Sequence, residues 1–289
     1  MARPDLINAL EDTFGLRIRQ MRPVGGGDIA SSYLLETTQG KVFAKILDSP
    51  EGLGMLEAEQ DGLNAISRTH TLHVPEVLGC APTSRGACLL LEYIPAGAGS
   101  GASSATLGRG LAAMHQDTSP DFGWSRPNFI GSLPQKNDQN PSWASFYVRN
   151  RLVPQYRMAR SSNLLSEAEI PDPDLMEQQV ASLAADIRPS LLHGDLWGGN
   201  YLIASDGAPY LIDPAVYYGH AEVDLAMSLL FGGFSREFYD AYFEVHPKLP
   251  GFERRVQLYQ LYYLLVHLNL FGRSYYGSVR SIGADLFVG

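Results

Sequence analysis

The chain has 289 residues, of which 45% are hydrophobic and 18% are charged, as is typical of a folded globular protein with one large or two small domains. It carries 22 basic and 31 acidic side chains, and this formal net charge of −9 argues against a nucleic-acid partner, which needs a basic surface. The longest apolar run, residues 261–271, is too short to cross a bilayer and residues 1–10 contain no apolar signal segment, so we expect a cytoplasmic protein without a membrane partner.

The first 94 residues predict an antiparallel sheet accompanied by helices. A short amphipathic helix is expected over residues 6–14. Alternation of apolar and polar residues then predicts five strands, at 17–24, 31–37, 41–47, 74–78 and 87–93. Between the third and fourth of these strands, residues 55–67 have apolar side chains at helical spacing and predict a second helix.

The rest of the chain predicts a mostly helical region. It begins with small residues, 95–104, that are typical of a flexible linker. Helical patterns follow at 106–115, 143–158, 166–185 and 252–276, with a strand-like island at 190–213, and the apolar run 261–271 is expected to lie in the core. We therefore predict an α+β protein with an N-terminal lobe over 1–94 and a larger, mostly helical C-terminal lobe over 95–289.

The strongest functional signal is a cluster of polar residues in the strand-like island. Asp195 and Asn200 lie in one loop between apolar segments, and Asp213 ends a further apolar segment. Such residues are common in turns, but three of them beside buried segments indicate a shared site. Phosphoryl transfer needs a carboxylate that receives a hydroxyl proton and oxygen ligands for magnesium. We therefore predict Asp195 as the catalytic base, and Asn200 and Asp213 as Mg²⁺ ligands.

Two features of the predicted sheet fit the binding of a nucleotide. Gly25, Gly26 and Gly27 separate the first two strands, and the backbone N–H groups of a glycine loop can approach phosphates, although many such clusters are only turns. Lys45 lies in the apolar third strand and Glu59 in the following helix, so we expect the two to pair. A lysine in this position orients the α- and β-phosphates of ATP and is itself held by the glutamate.

The segment that joins the two predicted lobes is a candidate adenine site. Residues 89–95 form an apolar strand that ends at the lobe boundary, so their backbone is expected to face the cleft between the lobes. We expect the carbonyl of Glu92 and the N–H of Ile94, on either side of Tyr93, to bind the adenine.

The order of these motifs, from the glycine loop through the lysine, the glutamate and the hinge to the catalytic loop, resembles the protein-kinase-like fold. His-Gly-Asp at 193–195 and Asp-Pro at 213–214 are similar to the small-molecule branch of that fold, which includes aminoglycoside and choline kinases. Within that branch, His-Gly-Asp-Leu-Trp-Gly-Gly-Asn at 193–200 closely resembles the fructosamine/ketosamine-3-kinase family. The likeness covers residues 20–280 and includes the Pro-Gln, Asn and Trp pattern of segment 122–152, whereas Ala-Ser-Ser at 30–32 departs from the family.

This resemblance implies an ATP- and Mg²⁺-dependent kinase that phosphorylates a ketosamine, the Amadori-type adduct of a sugar and an amine, at C3 and so starts deglycation. The acceptor would be a small ketosamine or a glycated lysine on a protein, and the sequence indicates neither the preferred sugar nor the oligomeric state. An aminoglycoside, choline or homoserine kinase is an alternative, which the pattern in 122–152 disfavours. A non-catalytic kinase-like binding module is another, which the presence of the lysine, the base and both metal ligands disfavours.

Several other residues have structural as well as functional interpretations. Trp197 either packs in the core or stacks on the acceptor. His193 is expected to brace the catalytic loop, and the resemblance implies that Asp224 anchors this loop from below. Cys80 and Cys88 form no CxxC pair, so we predict no disulfide, no disulfide-linked dimer and no structural zinc.

Overall fold

In the computed structural model, which describes residues 4–25 and 30–287, the N-terminal part of the chain forms a five-stranded antiparallel sheet with the strand order β1-β2-β3-β5-β4. The strands are β1 (Ile18–Pro23), β2 (Ser31–Thr37), β3 (Gly40–Leu47), β4 (Val77–Thr83) and β5 (Gly86–Glu92). Two helices accompany the sheet, α1 (Pro4–Phe14) and α2 (Gly52–Thr69).

The two faces of the sheet are covered by different helices, because side chains alternate along each strand. On β3, Ala44 and Ile46 pack in one cluster with Leu10 of α1. Leu89 and Leu91 of β5 pack in another cluster, with apolar residues of α2. Lys45, between the two β3 residues of the first cluster, therefore points toward α2.

The remainder of the chain is mostly helical, as predicted. Its helices are α3 (Gly101–Met114), α4 (Trp143–Tyr147), α5 (Val153–Ser161), α6 (Pro173–Leu183), α7 (Glu222–Phe231), α8 (Arg236–Val245), α9 (Phe252–Phe271) and α10 (Tyr276–Phe287). A π-helical turn, Val148–Leu152, joins α4 to α5. Six short strands pair as β6 (Asn128–Ile130) with β7 (Leu133–Gln135), β8 (Ser190–Leu192) with β11 (Tyr217–Gly219), and β9 (Tyr201–Ile203) with β10 (Pro209–Leu211).

The largest hydrophobic core lies in this helical part and is centred on α9, most of which is buried. The predicted α+β class, with an N-terminal antiparallel sheet and helix followed by a larger helical lobe, is confirmed. The boundary between residues 94 and 95 stays a prediction. No helix within the described residues combines the length and apolar character that a membrane span requires.

Several predicted elements differ from the observed ones, among them the helical stretch 252–276, in which α9 ends at Phe271. The predicted linker 95–104 is wrong in its second half, because α3 begins at Gly101, where the Ser100 hydroxyl accepts a hydrogen bond from the N–H of Ser103 at 3.1 Å and caps the helix. The predicted helix 166–185 is shorter, because Asp172 caps α6 and Pro173 is its first residue. Strand β4 begins at Val77 rather than residue 74.

The chain passes from the sheet to the helical part by pairing with the β9–β10 hairpin. The N–H of Gly97 donates to the carbonyl of Ile203 at 2.8 Å, and the N–H of Ser205 donates to the carbonyl of Pro95 at 2.8 Å. A Cβ at residue 97 would lie 2.5 Å from the carbonyl oxygen of Ala204, so this close backbone contact requires glycine. The junction is therefore bound to the helical part before α3 begins.

Candidate active site

A cavity of about 860 Å³ lies between the sheet and the helical part, a volume within the usual range for small-ligand sites. Trp197 and five polar residues of the predicted site line it, and we call these five the charged wall: Lys45, Glu59, Asp195, Asn200 and Asp213. They come from β3, α2, the loop after β8 and the segment after β10. The structure thus brings together polar residues that are up to 168 positions apart in the sequence.

Lys45 connects the sheet to the helical part through two carboxylates. Its ammonium group donates to Glu59 Oε1 at 2.7 Å and to a carboxylate oxygen of Asp213. Burial of Lys45 opposes its charge, but the neighbouring carboxylates of Glu59 and Asp213 outweigh that effect and raise its pKa above the usual value. Burial also raises the pKa of Glu59, and the ammonium group of Lys45 opposes this rise. The lysine is therefore a fixed cation in the wall of the cavity.

Helix α2 approaches Asp213 closely because it carries a glycine at the contact. A Cβ at Gly62 would lie 2.9 Å from Cγ of Pro214, which is closer than packed side chains tolerate. Glycine in a helix interior is intrinsically unfavourable, by about 1 kcal/mol relative to alanine. Here Gly62 lets the helix pack directly against the residue that follows Asp213.

The loop that carries Asp195 is held from below by Asp224 of α7. The two carboxylate oxygens of Asp224 accept the N–H groups of His193 at 2.8 Å and Gly194 at 2.9 Å. Gly194 has a φ of +82°, and a Cβ there would lie 2.1 Å from the carbonyl oxygen of Ala215, so only glycine fits. These contacts confirm the prediction that Asp224 anchors the loop.

His193 braces the same loop as a neutral ring. Its Nδ1 accepts the N–H of Asp195 at 3.2 Å, so the proton lies on Nε2, which donates to the carbonyl of Ile212 at 2.9 Å. Burial lowers the pKa of His193, which favours this neutral form. Both ring nitrogens are thus used within the loop, in agreement with the predicted structural role.

Asp195 has the electrostatic character of a base that works near neutral pH. Burial and, secondarily, the negative charge of Asp213 raise its pKa to about 7, while a hydrogen bond from Asn200 opposes the rise. The side-chain amide of Asn200 donates to both the backbone carbonyl of Asp195, at 2.8 Å, and its Oδ2, at 3.0 Å. These bonds fix the orientation of the carboxylate toward the cavity.

The arrangement of Asn200 and Asp213 fits a magnesium ion. The Asn200 amide nitrogen is used by Asp195, so the remaining polar atom of that side chain is an oxygen, and Asp213 supplies a carboxylate. Both are the hard oxygen ligands that Mg²⁺ prefers. Among the described residues, no group of three or more His, Cys, Asp or Glu side chains could hold a metal. An ion here would depend on phosphate oxygens and water for its other ligands.

Of the other predicted nucleotide-binding residues, the four that the structure describes lie outside the lining of this cavity: Gly25, Glu92, Tyr93 and Ile94. Glu92 ends β5, where its N–H donates to the carbonyl of Glu76 at 2.8 Å, and Tyr93 and Ile94 lead into the paired segment at 95–97. Gly25 is exposed after β1. Gly26 and Gly27 lie outside the described residues. The adenine and glycine-loop assignments therefore stay predictions.

A second wall of the cavity, which the sequence analysis did not identify, is aromatic. We call it the aromatic wall, and it consists of Phe231, His267, Phe271 and Tyr275. The His267 ring lies 4.4 Å from that of Phe231, 5.3 Å from that of Phe271 and 5.1 Å from that of Tyr275. The prediction that 261–271 belongs to the core is wrong at its end, since Phe271 is 53% exposed.

The sequence pattern that could have indicated the aromatic wall is the helical spacing of residues at the end of α9. Val266, His267, Leu270 and Phe271 all line the cavity, and positions three and four apart share one helix face. Trp197, the predicted acceptor contact, also lines the cavity. It is 42% exposed and its ring covers Gly199, so it is not part of the core.

Comparison with known proteins assigns the chain to a family. The model of the fructosamine kinase family matches residues 4–287. A chloroplastic protein-ribulosamine 3-kinase of Arabidopsis thaliana is 41% identical over 275 residues, which cover 93% of this chain and 83% of the relative. The crystal structure of a candidate fructosamine-3-kinase of Thermobifida fusca is 31% identical, with a TM-score of 0.85 over 98% of this chain and 99% of that one.

A more distant likeness supports the fold alone. An aminoglycoside phosphotransferase is 15% identical and superposes with a TM-score of 0.64 over 98% of this chain and 99% of that one. The protein-kinase-like fold implied by the sequence is therefore confirmed. The chain belongs to the fructosamine kinase family, as its catalytic-loop sequence indicated.

Proposed function

We propose that the protein is an ATP-dependent kinase that transfers the γ-phosphoryl group of ATP to the C3 hydroxyl of a ketosamine. The single observation that carries this proposal is that the five residues of the charged wall all line one cavity between the two lobes. Membership of the fructosamine kinase family supports a ketosamine as the acceptor, and the name of the Arabidopsis relative supports position 3.

In this proposal Asp195 is the catalytic base. Its carboxylate takes the proton of the acceptor hydroxyl while that oxygen attacks the γ-phosphorus and ADP leaves. A pKa near neutrality suits this role, because a large fraction of the group is ionised at physiological pH and the carboxylate still accepts a proton readily. Asn200 holds the carboxylate in place through its amide N–H groups.

Lys45 and Glu59 would orient the phosphates, and Asn200 and Asp213 would hold the metal. The ammonium group of Lys45 already lies between Glu59 and Asp213, so it is aimed at the position where phosphates meet the metal ligands. When held by these two residues, magnesium would supply positive charge that offsets the negative charge of the phosphates during transfer. The backbone of Glu92, Tyr93 and Ile94 would bind the adenine, and the glycine loop at 25–27 would cover the phosphates.

The phosphorylated product of this reaction would be unstable, and its decomposition would give the reaction a biological role. In a ketosamine, C1 bears the amine and C2 the carbonyl, so loss of a C1 proton forms a C1=C2 enol next to C3. Phosphate is a far better leaving group than hydroxide, so as the nitrogen electron pair forms a C1=N imine, the C1=C2 pair moves to C2=C3 and the C3–O bond breaks to release phosphate. Hydrolysis of this imine releases the free amine and a deoxy-dicarbonyl sugar. Phosphorylation would thereby reverse glycation.

The charge of the protein favours an acceptor with a cationic amine. A ketosamine keeps a secondary amine that is protonated near neutral pH, and the net charge of −9 would attract it. This attraction applies equally to a small ketosamine and to a glycated lysine on a protein. The location of the protein in the cytoplasm remains a prediction from the sequence.

The proposal is tested by coupled measurement of ADP formation with a panel of acceptors. Ribulosyl-lysine, fructosyl-lysine, a glycated peptide, choline and an aminoglycoside would each be supplied with ATP and Mg²⁺. We expect turnover with one or more ketosamines, dependent on Mg²⁺, and far slower turnover with the last two. Brisk turnover of choline or the aminoglycoside without any ketosamine turnover would contradict the acceptor, and no turnover with any acceptor would contradict the kinase assignment.

A further inference from the structure

Helix α2 carries Glu59 and belongs to the sheet lobe, but it is also bonded to the helical lobe. The indole N–H of Trp124, in the loop that precedes β6, donates to Oδ2 of Asp61 at 2.8 Å. Close by, Arg126 and Glu57 are 3.5 Å apart, but both side chains are over 40% exposed, so this ion pair contributes little. The Trp124–Asp61 bond is therefore the main polar contact between this loop and α2.

Trp124 is held firmly by the helical lobe. The residue before it, Gly123, exchanges two backbone hydrogen bonds with Tyr218, at 2.9 and 2.8 Å, and the N–H of Trp124 donates to the carbonyl of Asn137 at 3.0 Å. The Trp124 ring packs at 5.6 Å from the ring of Tyr218, whose hydroxyl donates to Asp117 at 2.7 Å. The indole N–H thus occupies a fixed position relative to the catalytic loop rather than to the sheet.

The position of α2 determines whether Glu59 can reach Lys45. Asp61 lies two residues after Glu59, so a bond at Asp61 limits both rotation and translation of the helix at Glu59. Gly62, which packs against Pro214, holds an adjoining part of the same turn. If α2 moved away from the cavity, Lys45 would lose one of its two carboxylate partners while still largely buried, and that loss is costly.

We propose that Trp124 is a positioning residue that, through Asp61, holds α2 where Glu59 contacts Lys45 before ATP binds. The inference rests on the proposed roles of Lys45 and Glu59 in phosphate binding. It means that the lysine–glutamate pair is assembled by the fold itself, through a bond between the lobes that lies away from the hinge at residues 92–94. The nucleotide then binds a preorganised site and does not have to draw the helix inward.

The test compares three variants. Trp124→Phe removes the donor but keeps an aromatic ring against Tyr218, and Asp61→Leu removes the acceptor. Asp61→Asn keeps an acceptor oxygen and is the matched conservative control. Loss of a hydrogen bond to a charged group is enough to shift the equilibrium between the bound and displaced positions of α2 about tenfold. We therefore expect Trp124→Phe and Asp61→Leu to raise KM for ATP about tenfold. Asp61→Asn should stay within about threefold of the wild type, and KM for the acceptor should be unchanged in all three.

A double-mutant cycle separates positioning from general destabilisation. In a Glu59→Gln background the helix has already lost its ion pair with Lys45, so Trp124→Phe should have little further effect on KM for ATP. Hydrogen exchange of α2 without nucleotide should be faster in Trp124→Phe than in the wild type. Unchanged KM and unchanged exchange in a folded Trp124→Phe variant would overturn the inference, as would equal effects of Trp124→Phe in both backgrounds.

Failure of this inference about Trp124 can be distinguished from failure of the proposed kinase function. Binding of ATP with Mg²⁺ to the wild type, measured by calorimetry, tests the nucleotide site directly. Absence of binding would overturn the proposed kinase function and with it the role given to α2. Normal wild-type binding together with equal binding by Trp124→Phe and Asp61→Leu would overturn only the positioning role of Trp124.

Discussion

The charged wall and the aromatic wall face the same cavity but are built in different ways. Every member of the charged wall lies on a strand, a helix or a loop that hydrogen bonds fix, and Lys45, Asp195 and Asn200 each contact another member of the wall. The aromatic wall comes from the ends of α7 and α9 and the turn that follows, and its members meet through ring contacts, while Nδ1 of His267 donates to the backbone carbonyl of Tyr263 at 2.8 Å. In our proposal the charged wall performs the chemistry, and we expect the aromatic wall to contact the acceptor.

The largest expected effect on turnover follows from removal of the predicted base, Asp195, from the charged wall. Asp195→Asn keeps the shape of the side chain but removes its ability to accept a proton, so we expect kcat to fall by roughly 10²–10⁴-fold with little change in ATP binding. Steady-state kinetics and nucleotide calorimetry measure the two quantities. Asp12→Asn, on the exposed surface of α1, is a matched control that should behave as the wild type. Turnover of Asp195→Asn close to that of the wild type would remove Asp195 as the base.

Removal of a predicted metal ligand should change the requirement for magnesium. We expect Asn200→Ala and Asp213→Ala to raise the Mg²⁺ concentration for half-maximal rate by roughly tenfold or more, because each loses one of the two predicted oxygen ligands. Titration of the rate with Mg²⁺ and with Mn²⁺ checks this. If both variants kept the wild-type metal dependence, neither residue would belong to the metal site.

The pH profile reports the ionisation of the charged wall. The pKa of Asp195 is raised to about 7, and only the deprotonated carboxylate can accept the hydroxyl proton. Bound Mg²⁺ would offset the charge of Asp213, which contributes to this rise, so at saturating Mg²⁺ kcat/KM for the acceptor should be constant above a pH between the ordinary aspartate range and about 7 and fall about tenfold per unit below it. Rates measured in buffers of constant ionic strength test the expectation. A profile that stayed flat to about pH 5 would show that no base with a raised pKa controls the reaction.

The smallest expected effect on kinetics follows from removal of an aromatic ring that lines the cavity. Trp197→Ala and Phe271→Ala should raise KM for the acceptor by several-fold, since a contact between a cation and an exposed ring is worth about 1 kcal/mol. KM for ATP should not change. Leu249→Ala removes an exposed apolar side chain outside the cavity lining and is the matched control. An effect on ATP rather than on the acceptor would assign these rings to the nucleotide side.

The same contrast explains how much of the site the sequence could predict. Asp195, Asn200 and Asp213 lie in one short, strongly patterned segment, and the period of β3 places Lys45 on the face toward α2. Because phosphoryl transfer needs particular charged groups, it limits which residue types can occur at these positions and how they are spaced, and such a pattern can be read from the sequence. Aromatic residues at the end of an apolar helix also occur in ordinary cores, so the pattern of residues 261–271 could not show that Phe271 is exposed.

Features that depend on contacts between distant segments were also beyond prediction. Helix propensity alone gives Gly62 no role except to weaken its helix, whereas the structure shows that a glycine is needed there for the contact with Pro214. Trp124 and Asp61 are 63 positions apart, with no sequence pattern that relates them. Helix α7 was not predicted because most of its residues are buried on all sides, so it lacks the polar face that makes a helical period visible.

The most direct test of the account is the fate of ribulosyl-lysine incubated with ATP, Mg²⁺ and the enzyme, followed by ³¹P and ¹³C NMR. Phosphorus should appear first on the oxygen of C3, and inorganic phosphate and free lysine should then accumulate together as the phosphorylated adduct decomposes. Asp195→Asn should produce neither signal at a comparable rate. Phosphate on another carbon, or an adduct left unmodified while choline or an aminoglycoside is phosphorylated, would contradict the account.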